Sequence, residues 1–203
     1  MCGLFFIADQ FLSRAQRNDV YSASERRGKD ASGLCVKPTG KQYFVHREYS
    51  PLKYLARKVV PKSYDIVCGH SRLMTHGAND NQPLVTPNCI VFHNGIVLNV
   101  GELIAEHNLE RNLEIDSEVI SSYIERYIGE KQIPQILDEL LDKVSGTLNA
   151  IIIFPNHGKA AFLSNHGSLY FGKTAGGCVV ASEETTLKKL KANGIENIKN
   201  SFK

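Results

Sequence analysis

The chain has 203 residues and a mass of 22.6 kDa; 42% of its residues are hydrophobic and 22% are charged. This composition is typical of a globular domain, and no apolar run approaches the ~20 residues that a membrane span requires. The net charge of +3 comes from 24 basic and 21 acidic residues that are mixed along the chain, without the concentrated basic patch expected of a nucleic-acid-binding protein. We therefore expect neither a membrane nor a nucleic acid as partner.

The cysteines limit the class of protein further. There are five of them, spread along the chain without a CxxC pair or a tight cluster. This number and spacing argue against a disulfide framework and against a zinc site. The first residues also lack the basic segment, apolar stretch and cleavage site of a secretory signal. The sequence therefore predicts a cytoplasmic protein without a metal.

The first half of the chain is predicted to be mostly sheet. Short apolar segments separated by turns rich in Gly, Pro and Asn are typical of strands. A helix is predicted over residues 12–26, although its apolar positions are sparse. The predicted strands cover residues 3–8, 33–37, 43–46, 66–71 and 89–93.

Two amphipathic helices and further strands are predicted after Asp116. Apolar residues recur at helical spacing over residues 119–128 and again over 133–144. The apolar run at 147–154 is typical of a strand covered on both faces, and KAAFLS, SLYFG and CVVAS continue the strand pattern. Strands, helices and strands again, without a linker, predict one layered α+β domain. Residues 184–203 are predicted to form a lysine-rich helix and a tail.

The second residue, Cys2, raises the question of chemistry. Methionine is usually removed when a small residue follows it, and removal of Met1 would give Cys2 a free α-amine beside its thiol. A typical α-amine has a pKa of ~7.7–8.0 and a free thiol ~8.5, so this one residue could supply both a base and a nucleophile near neutral pH. A lone cysteine is more often a small buried hydrophobe, so the choice depends on the rest of the sequence.

Four further stretches are rich in functional groups that ordinary structure does not require: ERRGKDASG, GHSRLMTHG, FHNGI and EIDSEVI. Taken in this order after MCG, they resemble the glutaminase domain of class II (N-terminal nucleophile) glutamine amidotransferases, most closely the glucosamine-6-phosphate synthase type. The resemblance implies a four-layer αββα sandwich, in which two mainly antiparallel sheets lie between helix layers. It also implies a glutaminase domain over residues 2–183, followed by a C-terminal helix and tail over 184–203.

The resemblance assigns a nucleophile and an oxyanion hole. It implies that the Cys2 thiol attacks the carboxamide of glutamine, and that the Asn94 side chain and the Gly95 backbone N–H stabilise the oxyanion. Asn-Gly is also the commonest tight hairpin turn, so a purely structural interpretation of this pair stays open. No metal or organic cofactor is required.

Two residues are implied to bind the head group of L-glutamine. Arg72, at the end of a predicted strand, would hold the α-carboxylate, a task suited to a planar guanidinium. Asp116 would hold the α-ammonium. Because an aspartate before a helix is also a common N-cap, capping remains an alternative for Asp116.

Two other motifs are implied to support the pocket. Thr75, His76 and Gly77 match a loop that lines and closes it. In this sequence Leu73 and Met74 follow the arginine, where glucosamine-6-phosphate synthase has a bulky aromatic residue beside the arginine that helps to gate the pocket. The sequence therefore leaves the gating of this pocket open.

A turn beside the nucleophile is the other motif. Arg27, Gly28 and Asp30 match the family's Arg-Gly-x-Asp turn, whose arginine supports the active-site terminus. A glycine turn with solvated charges would give the same pattern.

The predicted function is the hydrolysis of glutamine to glutamate and ammonia through a Cys2 thioester. Because the pattern ends close to the last residue, Lys203, we expect the ammonia acceptor on a separate synthase subunit. Two alternatives stay open. One is a catalytically silent subunit that binds glutamine and regulates a partner, and the other is an N-terminal nucleophile hydrolase that acts on another amide.

Overall fold

The computed structural model describes residues 2–73, 81–199 and 201–202. They form strands in the first and last parts of the chain, with three consecutive α-helices between them and further helices near both ends. The strands are β1 (Gly3–Asp9), β2 (Ala31–Pro38), β3 (Phe44–Glu48), β4 (Tyr64–Arg72), β5 (Leu84–Val85), β6 (Ile90–His93), β7 (Ile96–Val97), β8 (Gly146–Thr147), β9 (Asn149–Phe154), β10 (Lys159–Ser164), β11 (Leu169–Thr174), β12 (Gly177–Ala181), β13 (Asn193–Ile198) and β14 (Ser201–Phe202). The α-helices are α1 (Arg14–Glu25), α2 (Leu52–Val59), α3 (Val100–His107), α4 (Glu118–Tyr127), α5 (Ile133–Lys143) and α6 (Glu184–Lys189).

Two sheets form the middle of the molecule. The larger has seven strands in the order β13, β11, β12, β1, β4, β2, β3, and the smaller has five in the order β14, β10, β9, β6, β5. The strand pairs within each sheet are antiparallel throughout the described residues. Strands β7 and β8 form a separate two-stranded ribbon. The prediction of two mainly antiparallel sheets is confirmed.

Three hydrophobic cores define four layers. Successive residues of a strand point to opposite faces of the sheet, so neighbours such as Phe5 and Phe6 enter different cores. Phe5 packs with residues of α1, α2 and α6, whereas Phe6 packs with Phe92 between the two sheets. On the far face of the smaller sheet, Ile152 packs with residues of α3, α4 and α5. The layer order is therefore helices, sheet, sheet, helices, which confirms the predicted αββα sandwich.

Helix α1 confirms the helix predicted at residues 12–26. It begins with a capping box in which Gln16 N donates to Ser13 Oγ at 3.2 Å, while Ser13 N donates to Gln16 Oε1 at 2.9 Å. These bonds satisfy N–H groups that a helix start leaves without partners. The helix ends at Glu25 with Arg26 as its C-cap, so its last turn leads into the turn at Arg27 that is predicted to support the nucleophile.

The C-terminal segment differs from the predicted helix and tail. Helix α6 is only six residues long. Beyond it, β13 pairs with β11 at one edge of the larger sheet and β14 pairs with β10 at one edge of the smaller sheet. Ile198 is buried in the core between the sheets. The segment therefore contributes to both sheets, while a domain boundary at residue 183 stays a prediction.

The helices of the described residues do not meet the requirements of a bilayer span. None of them has both the length and the apolar character needed to cross a membrane.

Candidate active site

Cys2 lies at the start of β1, a central strand of the larger sheet. Strand β1 pairs with β4 in a register that sets Gly3 opposite Ser71. Cys2 directly precedes β1, and Arg72 is the last residue of β4. Two residues that are distant in the sequence therefore lie at the same end of two paired central strands.

Both backbone polar groups of Cys2 are hydrogen-bonded to predicted site residues. Cys2 N donates to Asn94 Oδ1 at 3.0 Å, and Arg27 Nε donates to Cys2 O at 2.9 Å. The Arg27 guanidinium also lies 3.9 Å from Glu183, measured from Nη1 to Oε1. The half-buried Cys2, whose thiol is free, is thus held from both sides.

The turn at Arg27, Gly28 and Asp30 packs against the end of β4. A Cβ on Gly28 would lie 2.3 Å from the carbonyl carbon of Arg72, so a larger residue cannot fit without a backbone shift. Asp30 N donates to Arg72 O at 3.0 Å, and Ser71 Oγ donates to Gly28 O at 3.0 Å. This turn therefore fixes the backbone of Arg72 as well as that of Cys2.

Asn94 and Gly95 do not form a hairpin turn. The strands on either side of them, β6 and β7, pair with other strands and not with each other. Neither residue has a positive φ, which the common Asn-Gly hairpin turn requires at both positions. A Cβ on Gly95 would lie 1.8 Å from Thr147 O, so the close approach of β8 explains the glycine. The hairpin interpretation was wrong.

Asn149, which the sequence analysis did not single out, holds Asn94 in place. Asn94 N donates to Asn149 O at 2.8 Å, and Asn149 Nδ2 donates to Asn94 O at 3.0 Å. Asn149 Oδ1 in turn accepts from Ser164 Oγ at 2.7 Å and from Ser168 N at 3.2 Å. The sequence does contain one signal for Asn149, which is the single asparagine in the apolar run TLNAIIIF. A buried amide needs hydrogen-bond partners, so an asparagine in such a run indicates a specific contact.

Asp116 is not the N-cap of the following helix. Helix α4 begins at Glu118, and its N-cap is Ser117. Asp116 Oδ2 instead accepts a hydrogen bond from Val97 N in β7 at 2.7 Å. The capping alternative was wrong, and the carboxylate is tied to the strand that follows Gly95.

His93 is buried near Asp116 and Ser117, and its imidazole is neutral. Its Nε2 lies 3.2 Å from Thr147 O, and its Nδ1 lies 2.8 Å from Ser117 Oγ. Since a carbonyl oxygen only accepts, Nε2 carries the proton and Nδ1 accepts from the hydroxyl. Burial lowers the pKa of His93, although the nearby Asp116 carboxylate opposes this shift.

His70 is a second buried imidazole, on β4. Burial lowers its pKa to about 3, and the positive charge of Arg72 acts in the same direction. Neither ring nitrogen has a hydrogen-bond partner in the described part of the chain. His70 is therefore neutral at physiological pH.

The remaining predicted residues Thr75, His76 and Gly77 lie in the segment 74–80, outside the described residues, as does Met74. Leu73, the last described residue before that segment, is about half exposed. Within the described part of the chain, no three His, Cys, Asp or Glu side chains converge as ligands of a metal ion would.

Comparison with solved structures defines the class of fold. Glutamine phosphoribosylpyrophosphate amidotransferase from B. subtilis, solved with ADP and GMP, superposes on 99% of this chain with a TM-score of 0.75 and 17% identity, over 49% of its own length. A structure described as the allosteric regulatory enzyme of purine biosynthesis covers 97% with a TM-score of 0.76 and 18% identity, over 44% of its length. At this identity the likeness concerns the fold, which is that of the N-terminal nucleophile hydrolases.

The sequence comparison gives the family. Residues 70–189 match the family described as the glutamine amidotransferase domain. The chain belongs to this family, and it is of the class II type that its motifs predicted.

Two curated relatives are glutamine–fructose-6-phosphate aminotransferases (isomerizing). The one from Bartonella henselae is 31% identical over 111 residues, which are 52% of this chain and 18% of that protein. The one from Bartonella quintana is 32% identical over 111 residues, with the same coverage. The matched region is thus less than a fifth of each relative's length.

Proposed function

We propose that this chain hydrolyses the side-chain amide of L-glutamine, with Cys2 as the nucleophile after removal of Met1. The observation that carries the assignment is the pair of hydrogen bonds on Cys2: its nitrogen donates to Asn94 Oδ1 at 3.0 Å, and its carbonyl accepts from Arg27 at 2.9 Å. A terminal nucleophile requires this kind of support, because no preceding chain would anchor it.

In the first step the Cys2 thiol attacks the amide carbon of glutamine. A C–S bond forms, the thiol proton passes to the Cys2 α-amine, and the amide oxygen becomes negative. Because Asn94 Oδ1 accepts from Cys2 N, the Nδ2 group of the same side chain is left to donate to this oxyanion, together with Gly95 N–H. One such donor contributes about 3 kcal/mol to stabilising the transition state.

In the second step the C–N bond breaks and ammonia leaves. The protonated α-amine of Cys2 gives its proton to the departing nitrogen, and a γ-glutamyl thioester remains on the Cys2 sulfur. Water, activated by the same amine, then attacks the thioester. Glutamate is released and the thiol is restored.

Arg72 and Asp116 are proposed to select a free α-amino acid. Arg72 lies at the same end of the paired strands β1 and β4 as Cys2, which supports a role in binding the α-carboxylate. Asp116 is anchored through Val97 N at 2.7 Å, which supports a fixed acceptor for the α-ammonium. An amide that lacks these two charges would form neither of the two ion pairs and would bind poorly.

The proposal also includes a synthase subunit that accepts the ammonia. The described fold corresponds to about half of the B. subtilis amidotransferase, and the part of the chain matched to the Bartonella proteins corresponds to less than a fifth of their length. These relationships support an acceptor site outside this fold. A cytoplasmic location belongs to the same proposal, because all five cysteines are free thiols, which is usual in a reducing compartment.

Glutamate release and intact mass, measured on one purified sample, test the proposal. We expect the mass of a chain without Met1 and turnover of glutamine. Cys2→Ala should abolish turnover and keep the fold, whereas Cys178→Ala, which removes another partly exposed thiol, should keep both. A wild-type chain with a free Cys2 terminus and no turnover would rule the proposal out.

A further inference from the structure

We propose that a basic groove between α1 and α2 binds a phosphorylated small molecule. The groove encloses about 410 Å³ on the helix-covered face of the larger sheet, and this volume suits a small organic ligand. It is separate from the candidate active site. Arg14 lies at one end of the twelve-residue helix α1, which is about 18 Å long, and Arg27, which holds Cys2, follows the other end.

Four cations line the groove, and none of its lining residues is acidic. They are Arg14 and Arg17 from α1, Arg57 from α2 and Lys62 from the segment after α2, and none of the other lining residues is Asp or Glu. Within the described part of the chain, none of the four forms a salt bridge. Their mutual repulsion is therefore uncompensated, and a multiply charged anion would relieve it.

The position of the cations on α1 strengthens this argument. Arg14 is the first residue of the helix, and the first turn contains no acidic residue. The start of a helix carries a partial positive charge that favours anions, so an arginine there costs free energy in the absence of a counter-charge. Arg17 is held in place by the Tyr64 ring, whose centroid lies 5.4 Å from the guanidinium carbon.

One residue that lines the groove has a buried hydroxyl without a partner among the described residues. Tyr21 lines the cavity and is only 5% exposed. Its hydroxyl makes no hydrogen bond with the described residues, although a buried tyrosine hydroxyl usually has one. Burial raises the pKa of Tyr21, so the hydroxyl keeps its proton and is a donor. A ligand oxygen would satisfy it.

The lining indicates a phosphate ester in preference to a bare anion. Guanidinium groups match phosphate oxygens in a bidentate geometry, and three arginines suit a dianion or a diphosphate. Ala56, Val60 and Pro61 supply an apolar wall that an inorganic ion would not use. The shared chemistry is therefore a phosphate group joined to an organic body, such as a sugar or a nucleoside.

Calorimetric titration of the full chain tests the proposal. The probes are adenosine monophosphate, ribose 5-phosphate, inorganic phosphate and adenosine, at about 0.15 M salt so that long-range surface attraction is screened. At least one phosphate ester should bind saturably at one site, more tightly than inorganic phosphate and adenosine. The better of the two esters identifies the organic body.

Two variants and one control locate the binding. The double variant Arg14→Gln/Arg57→Gln changes two exposed side chains and should weaken ester binding at least about tenfold, because two charge-assisted bonds are lost. The control Lys159→Gln/Lys173→Gln removes the same charge from two exposed positions outside the groove and should bind as the wild type does. Tyr21→Phe removes only the unpartnered hydroxyl; it should keep the stability of the fold and weaken binding.

Three results would overturn the proposal. One is the absence of binding by every phosphate ester at millimolar concentration. Another is equal weakening by the double variant and its control. The third is binding of an acidic peptide, such as poly-glutamate, without binding of any phosphate ester, which would assign the groove to a protein partner. These results do not depend on glutamine turnover, so they leave the proposed function untouched.

Discussion

Asn149 is a buried side chain that holds Asn94, the residue proposed to stabilise the oxyanion, in place. It is 1% exposed, donates to Asn94 O, and accepts from Ser164 and Ser168. The motif FHNGI predicted Asn94 and Gly95 as a pair. Asn149 could not be predicted in the same way, because the contact depends on how β9 lies beside β6.

Asn149→Ala should therefore impair both stability and turnover. The loss leaves Asn94 O and neighbouring polar groups unsatisfied, which costs about 1–3 kcal/mol of unfolding free energy in urea titration. The kcat for glutamine should fall at nearly unchanged KM, because the side chain of Asn94, the proposed oxyanion donor, would no longer be held in place. Asn156→Ala, which removes an exposed amide bonded to Pro87 O, is the matched control. A destabilised Asn149→Ala variant with normal kcat would contradict the positioning role.

His70 should make the fold sensitive to acid. Its pKa is about 3 in the folded protein and 6.5 when unperturbed, so between these values the unfolded chain binds a proton that the folded chain does not. The unfolding free energy therefore falls as the pH drops below 6.5, by about 2 kcal/mol at pH 5. In urea titrations, the drop in unfolding free energy between pH 8 and pH 5 should be about 2 kcal/mol smaller for His70→Leu than for the wild type.

The exposed His157→Leu variant controls for the loss of a histidine as such. Parallel pH profiles for wild type and His70→Leu would show that His70 is not responsible for the acid sensitivity.

At the scale of elements, the sequence predicted the three long helices but missed α2 and α3, which are short. Helices α1, α4 and α5 have ten or more residues, which is enough for an apolar face to recur. Helices α2 and α3 have eight residues each, and α3 fully buries only Leu103. The two-residue strands β5, β7, β8 and β14 have no period at all, because they are defined by pairing with other strands.

Strand β13 leads to an element-scale prediction. Ile198 is 1% exposed in the core between the sheets, so Ile198→Ala should lower the unfolding free energy by about 2–4 kcal/mol, as other large-to-small changes in a core do. The neighbouring Lys199→Ala changes an exposed side chain and should have little effect in the same urea titration. Equal stabilities of the two variants would mean that the segment behaves as a tail.

At the scale of the whole molecule, the sandwich brings the two sheets together at the candidate active site. Cys2 and Arg72 come from the larger sheet, and Asn94 follows a strand of the smaller one. The motifs predicted these residues and the fold class through resemblance to a family. Their distances could not be predicted, because they depend on how the sheets stack.

The grouping of charges in the groove also depends on how the whole molecule folds. The mixture of 24 basic and 21 acidic residues suggested no basic patch. The groove combines one pair of cations, Arg14 and Arg17, with a second pair about 40 residues further along the chain, Arg57 and Lys62. Only the packing of α1 against α2 brings the two pairs into one groove. The mean charge of a chain therefore does not reveal a local basic site.

The central claim is that Cys2 is the nucleophile of a glutamine amidotransferase, and acid quenching tests it most directly. Protein that is turning over glutamine is quenched with acid, digested, and its N-terminal peptide is analysed by mass spectrometry. We expect a peptide that begins at Cys2 and carries one glutamyl group on sulfur, and we expect no such group in Cys2→Ala. Turnover of glutamine with the glutamyl group on another residue, or with Met1 still attached to Cys2, would mean that Cys2 is not an N-terminal nucleophile.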